Sequence, residues 1–566
     1  MAVRASSRRL RPAAELLAEG AAAAPEPAPT LFTTTRGVPS ERAFKRALRD
    51  SGAISYHFHS GQSTWALTAQ QLRDVHDGLA AHGHVCDRFG VSLDRAMGVP
   101  EDERDASLKE TGPRIGPDEW TALGTTIPAQ PHLGDYMIGF PSGFQNARRA
   151  LAAGVTTIGN IAQYTAYDLL GGSDEALVTE ETVKALGMFA ACAPRGAMVH
   201  SNLEDGASAK ASHYGSYLGF AALELYAVEE LAGAFLTHCH GNTISSSEAR
   251  AVLHLALDDL HGRDSIGSMV YGNTVDHLAG NRSRNLAAVA DQVHCDISCQ
   301  LYRPTGHAVN PVPLTEAERI PSAAEIVEVH LLAREIEATA RRNVRLFDWP
   351  RLERVAAALA EYAIRFRDAA LARFADEGVD VTDAAQLLLA LRRTPILELE
   401  QRVGLAPPPE AARLEPWAAG QARRFAERLA GTGQRLDGVR VVVGVLEVHQ
   451  LVRDALARAL PQLGAEVVVL PSTVSAEQVV RVAIDEDADA IVLGIYNGNA
   501  LQLGERLVRA ARQESYEGGL FVGGILNQDT GDGLPVDVRP QLDRLGIRCI
   551  ARLEDLVPGL AALAPA

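Results

Sequence analysis

A run of valines, VRVVVGVL (439–446), ends in Glu447-Val448-His449, and the pattern then turns helical in HQLVRDALARALPQLG. An imidazole held just past the end of a buried strand can ligate a metal or carry a proton. A carboxylate two residues away can fix its orientation and strengthen it as a ligand. An isolated histidine at a helix start is more often a capping or surface residue, so both readings stand at this point. A second pair, His238 and His240 in AFLTHCHGN (234–242), puts two imidazoles on one face of a strand. Such a pair suits a pocket wall, a metal-dependent hydrolase site or a satisfied core pair. Three strand-like runs end in Gly-Asn, at Gly159-Asn160, Gly241-Asn242 and Gly272-Asn273. Glycine lets the chain turn there, and asparagine tolerates the turn while offering hydrogen bonds. Their equivalent placement points to a polar pocket that Asn160, Asn242 and Asn273 share.

The elements that must position these residues come next. VTTIGN (155–160), AMVHSN (197–202), AFLTHCHGN (234–242), SIGSMVYGN (265–273) and QVHCDIS (292–298) read as strands separated by helix-like stretches. Strand–helix alternation implies parallel strands with crossover helices, and this many units favour a (β/α)8 TIM-type barrel. The barrel region is expected over 31–402, with helical additions at both ends, and residues 31–125 read as mostly helical. Residues 1–30 read as a disordered Ala/Pro-rich tail and 403–437 as a linker. From 438 to 566 the strands VRVVVGVL, EVVVLP, DAIVLGIY, LFVGGIL and IRCIARL alternate with helices. That is a doubly wound, flavodoxin-like (Rossmann-like) α/β domain, in which ligands sit beyond the carboxyl ends of the strands, where His449 falls. The chain lacks GxGxxG after the first of these strands and has no GxxxxGK[ST], which argues against dinucleotide and P-loop readings.

The 566 residues are 47% hydrophobic and 22% charged, an ordinary globular balance with room for at least two cores. A net charge of −17 argues against nucleic acid or an anionic membrane as partner. The six cysteines form no CxxC and read as reduced, mostly buried thiols of a cytoplasmic protein. No apolar run is long enough to span a bilayer, and the N-terminus lacks the apolar core of a secretory signal.

The last domain resembles the cobalamin-binding domain of B12-dependent mutases and methionine synthase. That family carries Asp-x-His-x-x-Gly after the first strand, Ser-x-Leu after the third and Gly-Gly after the fourth. Glu447-Val448-His449 matches Asp-x-His with glutamate for aspartate, and Gly523-Gly524 matches the double glycine. Val452 stands in the glycine position, and Gly494-Ile495-Tyr496 replaces Ser-x-Leu. The resemblance implies His449 as lower axial ligand of cobalt, Glu447 behind it, and Gly494, Tyr496, Gly523 and Gly524 along the nucleotide tail. From about 138 to 335 the chain resembles the barrel subunit of glutamate mutase (methylaspartate mutase), through GFPSGFQNARRALAAG, the stretch ending in HCHGN, and RPTGHAVNPVPLTEAE. On that resemblance Arg303 and His307 take the places of the family's lysine and glutamate against the adenosyl ribose, and His238, His240, Asn242 and Tyr271 line the reaction pocket.

What the resemblance implies is an adenosylcobalamin-dependent carbon-skeleton mutase, an isomerase acting by radical rearrangement on a small carboxylate- or amino-acid-type substrate and working as a homodimer. The family grips its dicarboxylate substrate with arginines, whereas His132 and Asn160 fall at two of the matching places. Bidentate arginine contacts are not replaced by these types, so the substrate is expected to differ or to be held differently. Arg148, Arg149 and Arg195 are the candidate substitutes. A corrinoid-dependent methyltransferase and a non-catalytic B12 carrier or sensor are the alternatives.

Overall fold

The computed structural model describes residues 9–104, 112–167, 174–262, 266–273, 275–278, 280–430, 433–447, 449–472, 474–530, 535–552 and 555–564. Eight parallel strands form the first domain: β1 (Ser55–Ser60), β2 (Arg88–Val91), β3 (Gln130–Leu133), β4 (Thr157–Gly159), β5 (Met198–Asn202), β6 (Leu236–Cys239), β7 (Met269–Tyr271) and β8 (Ala308–Asn310). They run in the order β6-β5-β4-β3-β2-β1-β8-β7. Between β6 and β7 the ring closes through a parallel bridge at His240 and Val270, with Tyr271 N–H donating to the His240 carbonyl at 2.8 Å. The expected α/β barrel is therefore present, and its helices cover the outside.

Two strands, β1 and β2, sit where the sequence reads as helical, and β3 falls just after that stretch, where no strand is expected. β1 to β3 carry SYHFHS, RFGV and QPHL, and their inward positions are histidine, arginine and glycine rather than aliphatic residues. In β1, Tyr56 and Phe58 face His330 on the helix Ala323–Asn343, while His57 and His59 face His132 across the interior. QVHCDIS, expected as a strand, lies instead inside the helix Arg282–Tyr302. Val289, Val293 and Ile297 recur every four residues and bury one stripe, which is helical periodicity. The expected tail over 1–30 gives way to a helix, Ala13–Ala22, whose Leu16 is fully buried. It packs on the helix Glu175–Cys192 so closely that a Cβ on Gly20 would lie 1.9 Å from the Lys184 carbonyl oxygen. A Cβ on Gly187 would likewise lie 2.2 Å from that of Leu17. Residues 1–8 lie outside the described residues.

Within 403–437, the expected linker, a helix spans Trp417–Ala430. It leads to β9 (Arg440–Val445), β10 (Glu466–Ser472), β11 (Ala490–Ile495) and β12 (Gly519–Gly524). A short hairpin, β13 (Asn527–Gln528) with β14 (Val536–Asp537), precedes β15 (Arg548–Ile550). The parallel sheet order β10-β9-β11-β12-β15 is the flavodoxin-like order expected for this domain. Strands covered on both faces are continuous apolar runs, which is why Val441, Val442 and Val443 are all buried. Among the described residues no helix is long and apolar enough to cross a membrane.

Candidate functional site

The order reverses between β9 and β11, and loops leaving the two strands diverge to open a crevice. His449 follows β9 on one side, and Tyr496 and Asn497 follow β11 on the other. The barrel's carboxyl end faces this crevice, and the two surfaces enclose one cavity of about 580 Å³. Arg95 of the barrel donates to the Leu446 carbonyl at the end of β9. Lys210 pairs with Asp454 at 3.3 Å, Gln450 donates to the Ala166 carbonyl at 2.8 Å, and Asn527 donates to that of Glu318 at 2.9 Å.

Glu447 is fully buried and accepts backbone N–H bonds from Tyr496 at 2.9 Å and Asn497 at 2.8 Å. Its Oε2 also faces His449 Nδ1 at 3.4 Å. The carboxylate thus ties the β11 loop to the ligand loop, a task the spacing of Glu447 and His449 does not reveal. The His449 side chain is 52% exposed and lines the cavity, with its ring 5.1 Å from that of Tyr496. Val448 lies outside the described residues. Tyr496 lies over two glycines, because a Cβ added to Gly494 or Gly524 would come within 3.0 Å of its ring. Gly524 sits at φ 112°, where an added Cβ would also strike the Ile495 carbonyl at 2.2 Å. Val452 lines the same cavity, whereas Gly494, Gly523 and Gly524 do not reach it.

On the barrel side the cavity gathers His59, His132, His200, Asp135, Asn160, Asn202, Asp205, Asn242 and Tyr271. Burial, with Arg88 nearby, holds His132 and His200 well below the usual histidine range and His59 at about 3, so these imidazoles are neutral. Asp205 accepts from Asn160 at 3.0 Å and Asn202 at 3.1 Å, and Asp135 accepts from Gln163 at 2.8 Å. Burial, and then repulsion from Asp135 and Glu204, raises the Asp205 carboxyl to about 8. Burial lifts Glu224, outside the cavity, to about 8 as well. A carboxyl raised in the folded state binds its proton more tightly there than in the unfolded chain. The stability it confers is complete below the unfolded pKa and is lost as pH rises through the folded one. Asp205 therefore contributes a loss of thermal stability between about pH 4 and 8, opposed by the buried neutral imidazoles, and the melting difference between the ligand-free protein and Asp205→Asn is expected to change across that range. Identical melting profiles for the two proteins would refute the Asp205 assignment.

Several expected site residues lie elsewhere. His238 and His240 do share a face, but it is the outer one. His238 bonds to His261 at 2.7 Å and Glu224 at 3.0 Å, both on covering helices, and the His240 ring lies 5.3 Å from His307. Cys239 is the residue β6 turns inward, toward Met269 and Ala308. His307 bonds to Thr305 at 2.6 Å in the same outer layer. Arg303 lies just before β8, at the end of the barrel where strands begin, and pairs with Asp259 at 2.7 Å and Glu353 at 3.0 Å. Asn273 caps its own turn, accepting from Val275 N–H at 2.7 Å. Arg149 pairs with Glu101 and Arg195 with Glu26, and neither they nor Arg148 line the cavity.

A ligand-binding crevice at a topological switch point, closed by a barrel mouth, defines the class of the C-terminal domain, and comparison with known proteins agrees. Residues 438–535 match the family described as the B12 binding domain. The C-terminal domain is thus a cobalamin-binding domain. Among solved structures the chain is similar to a novel cobalamin-binding protein from Desulfitobacterium hafniense DCB-2, at 17% identity and a TM-score of 0.21, over 36% of this chain and 98% of that one. No curated protein matches the chain.

Proposed function

We propose that the chain is an adenosylcobalamin-dependent carbon-skeleton mutase, with a corrinoid held at His449 and a small substrate held in the barrel mouth. The observation that carries this reading is the shared cavity, in which His449 and the barrel's polar strand ends line one space. The residues present fit the cofactor. A half-exposed imidazole backed by a buried carboxylate is a suitable cobalt ligand, with Nδ1 toward Glu447 and Nε2 as the ligating nitrogen. Gly494 and Gly524 keep side chains out of the path of a nucleotide tail, and the Tyr496 ring must turn aside for one. The bound adenosyl form supplies a carbon-centred radical able to remove a substrate hydrogen. The chain's own residues do the rest. Asn242 and Tyr271 orient the substrate by hydrogen bonding, and the docked domains exclude water.

Titration with adenosylcobalamin and methylcobalamin tests this. Tighter binding of the adenosyl form supports the mutase, whereas preference for the methyl form points to a methyltransferase. Binding of both without turnover points to a carrier. In cobalt(II)-loaded protein, His449→Ala is expected to remove the nitrogen splitting from the paramagnetic resonance spectrum. Retention of that splitting would overturn the ligand assignment.

A further inference from the structure

The charge of the cavity says what the barrel mouth can hold. Four carboxyl groups line it: Asp135, Glu204, Asp205 and Glu316. Among the described residues only one guanidinium lines it, that of Arg319, and both its arms are engaged by Glu325, at 2.8 and 2.9 Å. The three lining imidazoles of the barrel are neutral. A dicarboxylate would enter this space with no lysine and no unengaged guanidinium among the described residues to meet it, beside carboxyls that burial and mutual repulsion already push up, at a desolvation cost nothing offsets. A small-molecule cation meets the opposite situation.

A second observation, independent of the acids, points the same way. His132 is fully buried, and its Nδ1 donates to the Thr157 carbonyl at 2.9 Å. In a neutral imidazole that leaves a lone pair on Nε2, and this atom has no partner in the structure although His132 lines the cavity. A buried acceptor without a donor costs free energy until a ligand supplies one. Asn242 Oδ1 is another buried acceptor without a partner on the same wall. Acids and orphan acceptors together demand a ligand rich in N–H donors and positively charged.

We propose that the barrel mouth recognises its substrate through a primary ammonium group held between Asp135 and Asp205, and that it discriminates against dicarboxylates. This rests on the barrel mouth being the substrate site, as in the mutase reading, but needs no particular upper ligand on cobalt. Asn160, Asn202 and Gln163 hold the two carboxylates in place, so they act as positioning residues.

Calorimetric titration of the full chain, with and without bound cobalamin, provides the test. The probes are 1,4-diaminobutane, L-ornithine and glutarate. Both amines are expected to bind, and glutarate to bind at least tenfold more weakly. Asp135→Asn and Asp205→Asn are each expected to weaken the amines at least tenfold, with the far-ultraviolet dichroism of the wild type confirming the fold. Equal binding of glutarate, or undiminished amine binding in both variants, would overturn the proposal. Amine binding without any cobalamin binding would sustain it while refuting the mutase reading. Cobalamin binding with no amine binding would do the reverse.

Discussion

Glu41→Gln is expected to destabilise the barrel by about 3–5 kcal/mol, the usual consequence of removing one partner from a buried charge network. Glu41 pairs with Arg88 at 3.0 Å and Lys45 at 3.4 Å, and all three side chains are at most 2% exposed. Its other oxygen accepts from Thr157 on β4 at 2.6 Å. Burial pushes the Glu41 carboxyl up, but Arg88 and Lys45 outweigh it and hold the group ionised, below its ordinary range. Glutamine keeps the shape and loses the charge, so Arg88 is left as a desolvated cation inside the barrel, with Lys45 beside it bonded only to the Gly267 and Ser268 carbonyls. Urea unfolding followed by the buried Trp65 and Trp120 measures the loss. A shift in the barrel transition worth less than about 1 kcal/mol, the scale of an exposed ion pair, would show that the network is not needed.

The second large effect concerns the cofactor. Glu447→Gln is expected to weaken cobalamin binding about 10–100-fold, the usual consequence of losing the group behind a metal ligand. Glu447 accepts from Tyr496 and Asn497 and faces His449. The amide of glutamine has one acceptor oxygen in place of two and turns an NH2 toward existing donors. The β11 loop and the His449 imidazole then lose their common anchor. Spectrophotometric titration with cobalamin measures this, and an unchanged affinity would assign Glu447 a purely local role.

These residues show what the sequence could and could not reveal. The C-terminal sheet was readable because parallel strands covered on both faces are unbroken apolar runs, and VRVVVGV and AIVLGI have that texture. β1 to β3 were not readable, because this barrel interior is polar. His57, His59, Arg88 and His132 occupy inward positions that would otherwise alternate as aliphatics. The same feature hid half the site. His57-Phe58-His59 is as good an HxH pair as His238-Cys239-His240, but without a recognised strand it carried no address. For the latter pair, the two-residue period fixed that the imidazoles share a face and could not say which one. His449 was legible because it breaks an apolar run at a topologically defined edge. Asp135 sits in a loop after β3 and Asp205 in a 3-10 turn after β5, where no periodicity marks them, and only the fold brings them together.

Because the barrel and the cobalamin-binding domain are joined through the helix Trp417–Ala430, docking between them is intramolecular. Each half of the cavity meets its counterpart at an effective concentration set by the tether, which for short linkers lies in the millimolar range. The modest contacts of Arg95, Lys210, Gln450 and Asn527 therefore suffice to assemble a site that separate subunits would need a far larger interface to hold. Dilution cannot uncouple the two halves, and the proportion of one to the other is fixed at synthesis.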